Sequence, residues 1–338
     1  MIITRTPFRI PLGGGGTDLP SYYRKYEGAL ITAAINKYMY ININEPSIGN
    51  TIKINYSETE EVGLDNIDSI KHDIVRESLK YLKINRPLEI SSMADLSAGT
   101  GMGSSSSYTV GLLKGLNQML RRYIPLSELA EEACKIEIDL VGKPIGKQDQ
   151  YAASFGGILQ MSIDRLGRVI YMPLRLNPEV VYELENRLLM FYTGIRRDAN
   201  TILKEQSDKA KVNNKTAINA MHKIKDIGYD IRQNLVSGDV DKIGALMNEH
   251  WNVKKSISTK MSNSDMDNWY DLGIKNGALG GKVMGAGGGG FMVFCVENGG
   301  RKKLRSVMEK AGLKFMDFRF DFEGVKTIDG KILKLIKD

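Results

Sequence analysis

From residue 95 to 113 the chain reads DLSAGTGMGSSSSYTVGLL, with three glycines and four serines inside 99–107. Glycines turn tightly and let a ligand approach the main chain, and backbone N–H groups converging on one point attract an anion. Behind the serines, Thr109, Leu112, Leu113, Leu116 and Leu120 share one helical stripe. The run therefore opens a helix, where unpaired N–H donors and the positive end of the dipole suit a triphosphate. This is the pattern of a phosphate cradle, with Gly99, Gly101, Met102, Gly103, Ser104, Ser105 and Ser106 as its residues.

Two better-known phosphate loops are excluded. No Gly-Lys-Ser or Gly-Lys-Thr exists, since GGKV ends in Val283, and the P-loop needs one. The dinucleotide pattern fails at this loop because Ser104 stands at the third glycine position. Gly285, Gly287 and Gly290 do match it in MGAGGGGFMVFCV, but they precede a strand instead of opening a helix. A tight turn entering that strand is the plainer reading.

Phosphoryl transfer also calls for carboxylates in unusual places. On a helix expected over 126–141, Glu131, Glu132, Lys135 and Asp139 share one face, while Glu137 falls with Ala130, Ala133, Leu140 and Val141. A carboxylate on an apolar face needs a partner, and a buried arginine would serve. Twelve residues on, GKQDQYAASFGG carries Asp149, which in its plainest role caps the next helix. Asp18 in GGGGTDLP is at its plainest a turn residue.

Around these residues the first half alternates strand and helix. ALITAAINKYMYININ (29–44) and TIKINYSE (51–58) predict strands, and Ile67, Ile70, Ile74 and Leu82 predict a helix. A proline-bounded stretch at 172–180 marks a lobe boundary, giving residues 1–178 and 179–338. The second half reads as helix over 198–275, strand at FMVFCVE, helix at 300–312 and strand at FMDFRFDFEGV. Segregated helices and strands in each lobe predict an α+β protein.

The 338 residues carry 47 Lys and Arg against 40 Asp and Glu, a formal net charge of +7. The excess is spread out, apart from Lys302, Lys303, Arg305, Lys310 and Lys314, and lacks an arginine-rich or aromatic stripe. An anionic metabolite is the partner this suits, and nucleic acid is not. Cys134 and Cys295 stand far apart without metal-ligand neighbours, so neither a disulfide framework nor structural zinc is expected. Arg5, Pro7 and Arg9 interrupt any signal-peptide core and no apolar run spans a bilayer, so the expectation is a cytoplasmic protein without a membrane partner.

RTPFRIPLGGGGTD, GTGMGSSSS and GKVMGAGGGGF, in this order and at these separations, resemble the three motifs of the galactokinase, homoserine kinase, mevalonate kinase and phosphomevalonate kinase (GHMP) superfamily. The resemblance implies an N-terminal lobe like the second domain of ribosomal protein S5 and a ferredoxin-like C-terminal lobe, with ATP and substrate between them. It also implies Mg2+ and transfer of the ATP γ-phosphoryl group to a small-molecule hydroxyl. By the same match Glu137 and the Ser105 hydroxyl would hold magnesium, Asp149 would be the base, and Arg9 would sit beside it and keep it ionised. Asp18, with Gly15, Gly16, Gly285, Gly287 and Gly288, would face the acceptor.

Galactokinases carry Glu and His where this chain has only Gly13 to Gly16, which removes sugar contacts and leaves room. PLGGGGTDLPSYY instead is similar to the D-glycero-D-manno-heptose 7-phosphate kinases, which act on the C1 hydroxyl, and to the kinase part of fucokinases. A 7-phosphate requires a basic side chain at the acceptor's far end. The Thr-Gly-x-x-Arg in YTGIRRDANTIL points to Arg197, with Arg196, Lys143 and Lys147 as competitors. A kinase of L-fucose or another neutral hexose, and a non-catalytic sensor on the same fold, are the competing readings. The sequence leaves monomer and homodimer both open.

Overall fold

The computed structural model describes residues 1–195, 205, 214–258, 261–285 and 287–328. The first lobe runs β1 (Ile2–Gly13), α1 (Pro20–Tyr26), β2 (Gly28–Asn44), β3 (Thr51–Asn55), β4 (Thr59–Gly63), α2 (Asp73–Tyr81), β5 (Leu88–Ala94) and α3 (Ser104–Met119). It continues through α4 (Leu126–Cys134), α5 (Gln148–Phe155), β6 (Ile158–Ile163) and β7 (Val169–Pro173). The second runs α6 (Pro178–Arg187), β8 (Leu188–Tyr192), α7 (Lys215–Ser237), α8 (Val240–Lys255), α9 (Ser264–Lys275), β9 (Ala278–Val283), β10 (Phe291–Val296), α10 (Arg301–Lys310) and β11 (Lys314–Met316). A last strand, β12 (Lys326–Ile328), pairs with β1 and so returns to the first lobe.

β2 is the spine of the first sheet. Its early half pairs with β6 and its late half with β5, while β1 lies antiparallel along nearly its whole other side. The register of β1 shifts between Pro7 and Phe8 and between Pro11 and Gly13. Proline cannot donate to a ladder, so a paired strand tolerates it at such irregularities. The second sheet is antiparallel in the order β11-β8-β10-β9, with helices between β8 and β9 and between β10 and β11. That is the ferredoxin-like arrangement, as the resemblance implies. Ile41 of β2, Leu112 of α3, Ile231 of α7 and Val293 of β10 belong to one contiguous apolar core, so the lobes share a floor.

Four expectations are corrected. The strand over 51–58 is the hairpin β3–β4, folded where Tyr56 N–H bonds the Glu58 carbonyl. The helix over 67–82 is a 3-10 turn (Leu64–Ser69) followed by α2. The strand at FMDFRFDFEGV is reduced to the end of β11 and one bridge from Phe320 to Ile35. Over 214–258 and 261–275 the expected 198–275 helix is three helices, the first stopped by Gly238 in a left-handed cap. Among the described residues no helix is long and apolar enough to cross a membrane.

Candidate active site

α3 is laid tightly onto β1. A Cβ on Gly111 would fall 2.6 Å from the Thr6 hydroxyl oxygen, while Thr4 Oγ1 donates to the Gly111 carbonyl at 3.1 Å and Ser107 Oγ to the Pro7 carbonyl at 2.8 Å. The N-terminus of α3 is thus pinned over the strand that carries Arg9. No side chain caps it and no acidic residue enters its first turn, so its first N–H donors are left for a ligand. Gly103 closes the loop at φ +80°, a conformation that favours glycine. Met102 is buried as the loop's anchor, and its carbonyl accepts from Arg9 N–H at 3.2 Å. Gly99 is exposed.

Asp149 lies in the first turn of α5, but it does not cap that helix. Both of its oxygens accept from Arg9, Oδ1 from Nε and Oδ2 from Nη2, each at 2.7 Å. The third guanidinium nitrogen, Nη1, donates to the Gly101 carbonyl at 2.8 Å. One arginine therefore ties a carboxylate to the glycine loop with fixed fork geometry. Asp18 is buried nearby and accepts from Gly16 N–H at 3.1 Å and Gln148 N–H at 3.2 Å. Burial and the neighbouring Asp149 push its carboxyl upward, against the pull of those N–H groups.

These groups open into one cleft, lined also by Pro11, Gly15, Gly16, Gly146 and Gly285, whose opposite wall is His250, Lys254 and Lys282 of the second lobe. The glycine-rich turn after β9 meets the phosphate-type loop backbone to backbone. A Cβ on Gly285 would stand 2.6 Å from the Gly101 carbonyl oxygen. Gly287 and Gly288 instead pack on Met261, Gly288 N–H donating to its carbonyl at 2.9 Å.

Helix α4 does not run on to 141. It widens into a π-helical turn (Lys135–Leu140), with Val141 N–H bonding the Ile136 carbonyl at 2.9 Å, a local geometry frequent at functional sites. Glu137 sits on this turn, fully buried. Its partner is Lys143, not an arginine: Ser105 Oγ donates to Glu137 Oε1, Lys143 Nζ donates to Ser105 Oγ at 2.7 Å and lies 3.7 Å from Oε1, and Gln150 donates to Oε2 at 2.8 Å. Burial raises the Glu137 carboxyl, and Lys143 and these hydrogen bonds oppose it. Glu132, placed on the solvent face by its spacing, is buried too, and Asn117 donates to it.

One carboxylate beside one hydroxyl is the share of ligands Mg2+ takes from a protein when phosphates and water complete its shell. The ammonium of Lys143 at the same two oxygens shows that positive charge is favoured there, so the residues fit the ion. No cluster of three or more His, Cys, Asp or Glu among the described residues offers a full protein cage.

Beside Ser104 and Ser105 opens an apolar pocket with Tyr56, His72, Met93, Leu96 and Tyr108 in its walls. His72 stacks on Tyr108 with ring centroids 4.8 Å apart, and Tyr56 meets His72 edge-on at 4.8 Å. Such a surface suits a planar base. Burial first, opposed by Asp73 and aided by Lys143, holds the His72 imidazole below its usual range.

Of the residues singled out from sequence, Arg9, Gly15, Gly16, Asp18, Asp149 and Gly285 meet in one cleft, and Ser105 and Glu137 meet at the head of α3. Arg196 and Arg197 lie outside the described residues. Lys143 serves Ser105, and Lys147 is occupied by Glu131 and the Gly167 carbonyl at 2.8 Å. Sequence reading missed His250, Lys254 and Lys282. A signal existed, since Ile243, Met247, His250 and Lys254 follow one another at three- and four-residue steps on the buried stripe of α8.

A glycine-lined helix start, tied by one guanidinium to a carboxylate that lines a cleft, is what a small-molecule phosphotransferase requires. The chain belongs to the GHMP kinase family, whose N-terminal domain model matches residues 71–157 and whose C-terminal model matches 231–312, and it is a kinase acting on a sugar hydroxyl. It is 35% identical over 340 residues to the D-glycero-alpha-D-manno-heptose 7-phosphate kinase of Campylobacter jejuni, covering 96% of this chain and 98% of that one. It is 25% identical to a galactokinase of Pyrococcus furiosus, over 97% and 98% of the two chains. A crystal structure of a D-glycero-D-manno-heptose 1-phosphate kinase from Bacteroides thetaiotaomicron superposes with TM-score 0.81 at 27% identity, covering 97% of this chain and 99% of the other.

Proposed function

We propose that the protein transfers the γ-phosphoryl group of ATP to the anomeric C1 hydroxyl of D-glycero-D-manno-heptose 7-phosphate, giving the 1,7-bisphosphate. The observation that carries this reading is the triple use of Arg9, which binds both oxygens of Asp149 and the Gly101 carbonyl. It holds a proton acceptor at a set distance from the loop that would cradle the phosphates.

In this assignment the acceptor hydroxyl gives its proton to Asp149 as its oxygen attacks phosphorus, and the bond to the β-phosphate oxygen breaks to release ADP. Asp18 and the backbone at Gly15, Gly16 and Gly285 orient the sugar. The loop from Gly99 to Ser106 holds the phosphates, and Ser105 and Glu137 would hold Mg2+, which supplies positive charge against the transferring group. His72 and Tyr108 receive the adenine. His72→Asn, which keeps a capping side chain at the start of α2, is expected to raise the ATP KM roughly 10-fold through lost stacking, read by steady-state kinetics.

The heptose assignment is supported by the C. jejuni relative and by the absence of side chains at Gly13 to Gly16. The two heptose kinases named above differ in the phosphate position in their names, so the test must read position as well as rate. We expect ADP release with heptose 7-phosphate to exceed that with mannose, fucose and galactose by at least about 100-fold in kcat/KM, with the new phosphate on C1 by phosphorus NMR. A neutral sugar winning by that margin would replace the proposal. The product would feed cytoplasmic synthesis of nucleotide-activated heptose for surface polysaccharide.

A further inference from the structure

The second-lobe wall of the cleft is built from three basic side chains that the transfer chemistry leaves unused. His250 is 2% exposed, and neither of its ring nitrogens meets a hydrogen-bond partner among the described residues. Lys254, one turn further along α8, has a single acceptor, the Gly285 carbonyl at 2.5 Å. Lys282 of β9 has a single acceptor, the Leu12 carbonyl at 2.7 Å. An ammonium has three donors, so both retain N–H groups. No carboxylate lies within ion-pair reach of either among the described residues. Across the cleft Arg9 is neutralised by Asp149, and Asp18 is engaged by two backbone N–H groups. Burial first, then Lys254 and Arg9, push the Lys282 amine well below its usual range, and buried basic groups without a counter-ion, like an imidazole without a partner, are costly to keep. A ligand that brings negative charge resolves both.

In the assignment above the phosphates of ATP lie at the head of α3 beside Ser105, which lines the neighbouring pocket and not this cleft. We infer that His250, Lys254 and Lys282 form an anion subsite on the second-lobe wall, and that it binds the phosphate the acceptor already carries. The inference rests on the reading above that the acceptor is a sugar phosphate. It moves the task from Arg197 to three residues spread over a helix and a strand.

The groups facing His250 are Lys254 on its own helix, Lys282 on β9, and Arg9, Asp18 and Asp149 from the first lobe. Burial first, then Lys282 and Lys254, hold the imidazole well below its usual range, and burial with Arg9 brings Lys254 down to about 8. The empty subsite therefore gains positive charge when a phosphate enters. Two results follow: binding takes up protons near pH 8, and kcat/KM for the phosphorylated acceptor declines as pH rises through about 8, where free Lys254 loses its charge.

The test compares heptose 7-phosphate with unphosphorylated heptose in the wild type, His250→Gln and Lys254→Met. The wild type is expected to prefer the phosphorylated sugar, and each variant to lose about 10- to 100-fold of that preference through KM while ATP still binds. A preference unchanged in both variants, or both acceptors slowed by one common factor, would overturn the subsite. If the wild type itself shows no preference, the sugar-phosphate reading fails separately. The subsite is then judged with inorganic phosphate, whose thermal stabilisation must be weaker in Lys254→Met than in the wild type. Should His250→Gln not fold, proton uptake by the wild type, measured by calorimetry in two buffers of different ionisation enthalpy, decides; zero uptake at pH 8 counts against it.

Discussion

Asp149→Asn is expected to bind ATP normally while kcat falls by about 100- to 10,000-fold, the range spanned by general base catalysis. The substitution preserves size and one acceptor oxygen. It removes the group that can hold the hydroxyl proton, and it turns one of the two charged bonds from Arg9 into a contact between donors. Were that second effect dominant, the arginine would loosen from Gly101 and the ATP KM would rise; normal ATP binding is expected because Nη1 keeps its bond to the Gly101 carbonyl. Separating the two requires kcat from full acceptor and ATP titrations together with ATP affinity measured directly. A kcat within about threefold of wild type would remove Asp149 from the chemistry.

Gly285→Ala is expected to reduce kcat/KM for ATP by about 100-fold, the scale on which an ångström of misplacement acts. Its Cβ would overlap the Gly101 carbonyl oxygen at 2.6 Å, and the φ of +62° is strained for any L side chain. Something must move, and the nearest movable thing is the loop that Arg9 holds. Gly299 has a similarly positive φ, +80°, but open space where its Cβ would go. Gly299→Ala carries the strain without the collision, so it should lose a little thermal stability and keep full activity. Equal activity losses in the two variants would show that backbone strain, not contact between the turns, is responsible.

The helix start behind the glycines at 99–103 was legible because composition and periodicity agreed: glycines and serines ended where a leucine stripe began, and α3 does start at Ser104. The bidentate pair was different. Arg9 and Asp149 stand 140 residues apart, and no local pattern joins them, so their partnership entered through resemblance to galactokinases. β1 was hidden by Pro7 and Pro11, which a propensity reading takes as breaks and the fold accommodates as register shifts. The wall of His250 and Lys254 was missed because 198–275 was read as one helix and no position of α8 was weighed by itself, although a buried stripe that includes His and Lys should draw notice. The aromatic pocket joins His72, before α2, to Tyr108, inside α3, across β5, a proximity set by the parallel crossover from β3 to β5.

The return of β12 to β1 has a consequence for the order in which the molecule can be made. Synthesis delivers the rest of the first sheet first, but the strand that covers the open edge of β1 at Ile3, Thr4 and Arg5 comes from residues 326–328, after the entire second lobe. During translation that edge stays unpaired, an invitation to pair with another nascent chain. The second lobe is in this sense an insertion within the first. The ribosome has to deliver the second lobe and residues 326–328 before Arg9, four residues beyond Arg5 on the same strand, stands in a finished sheet.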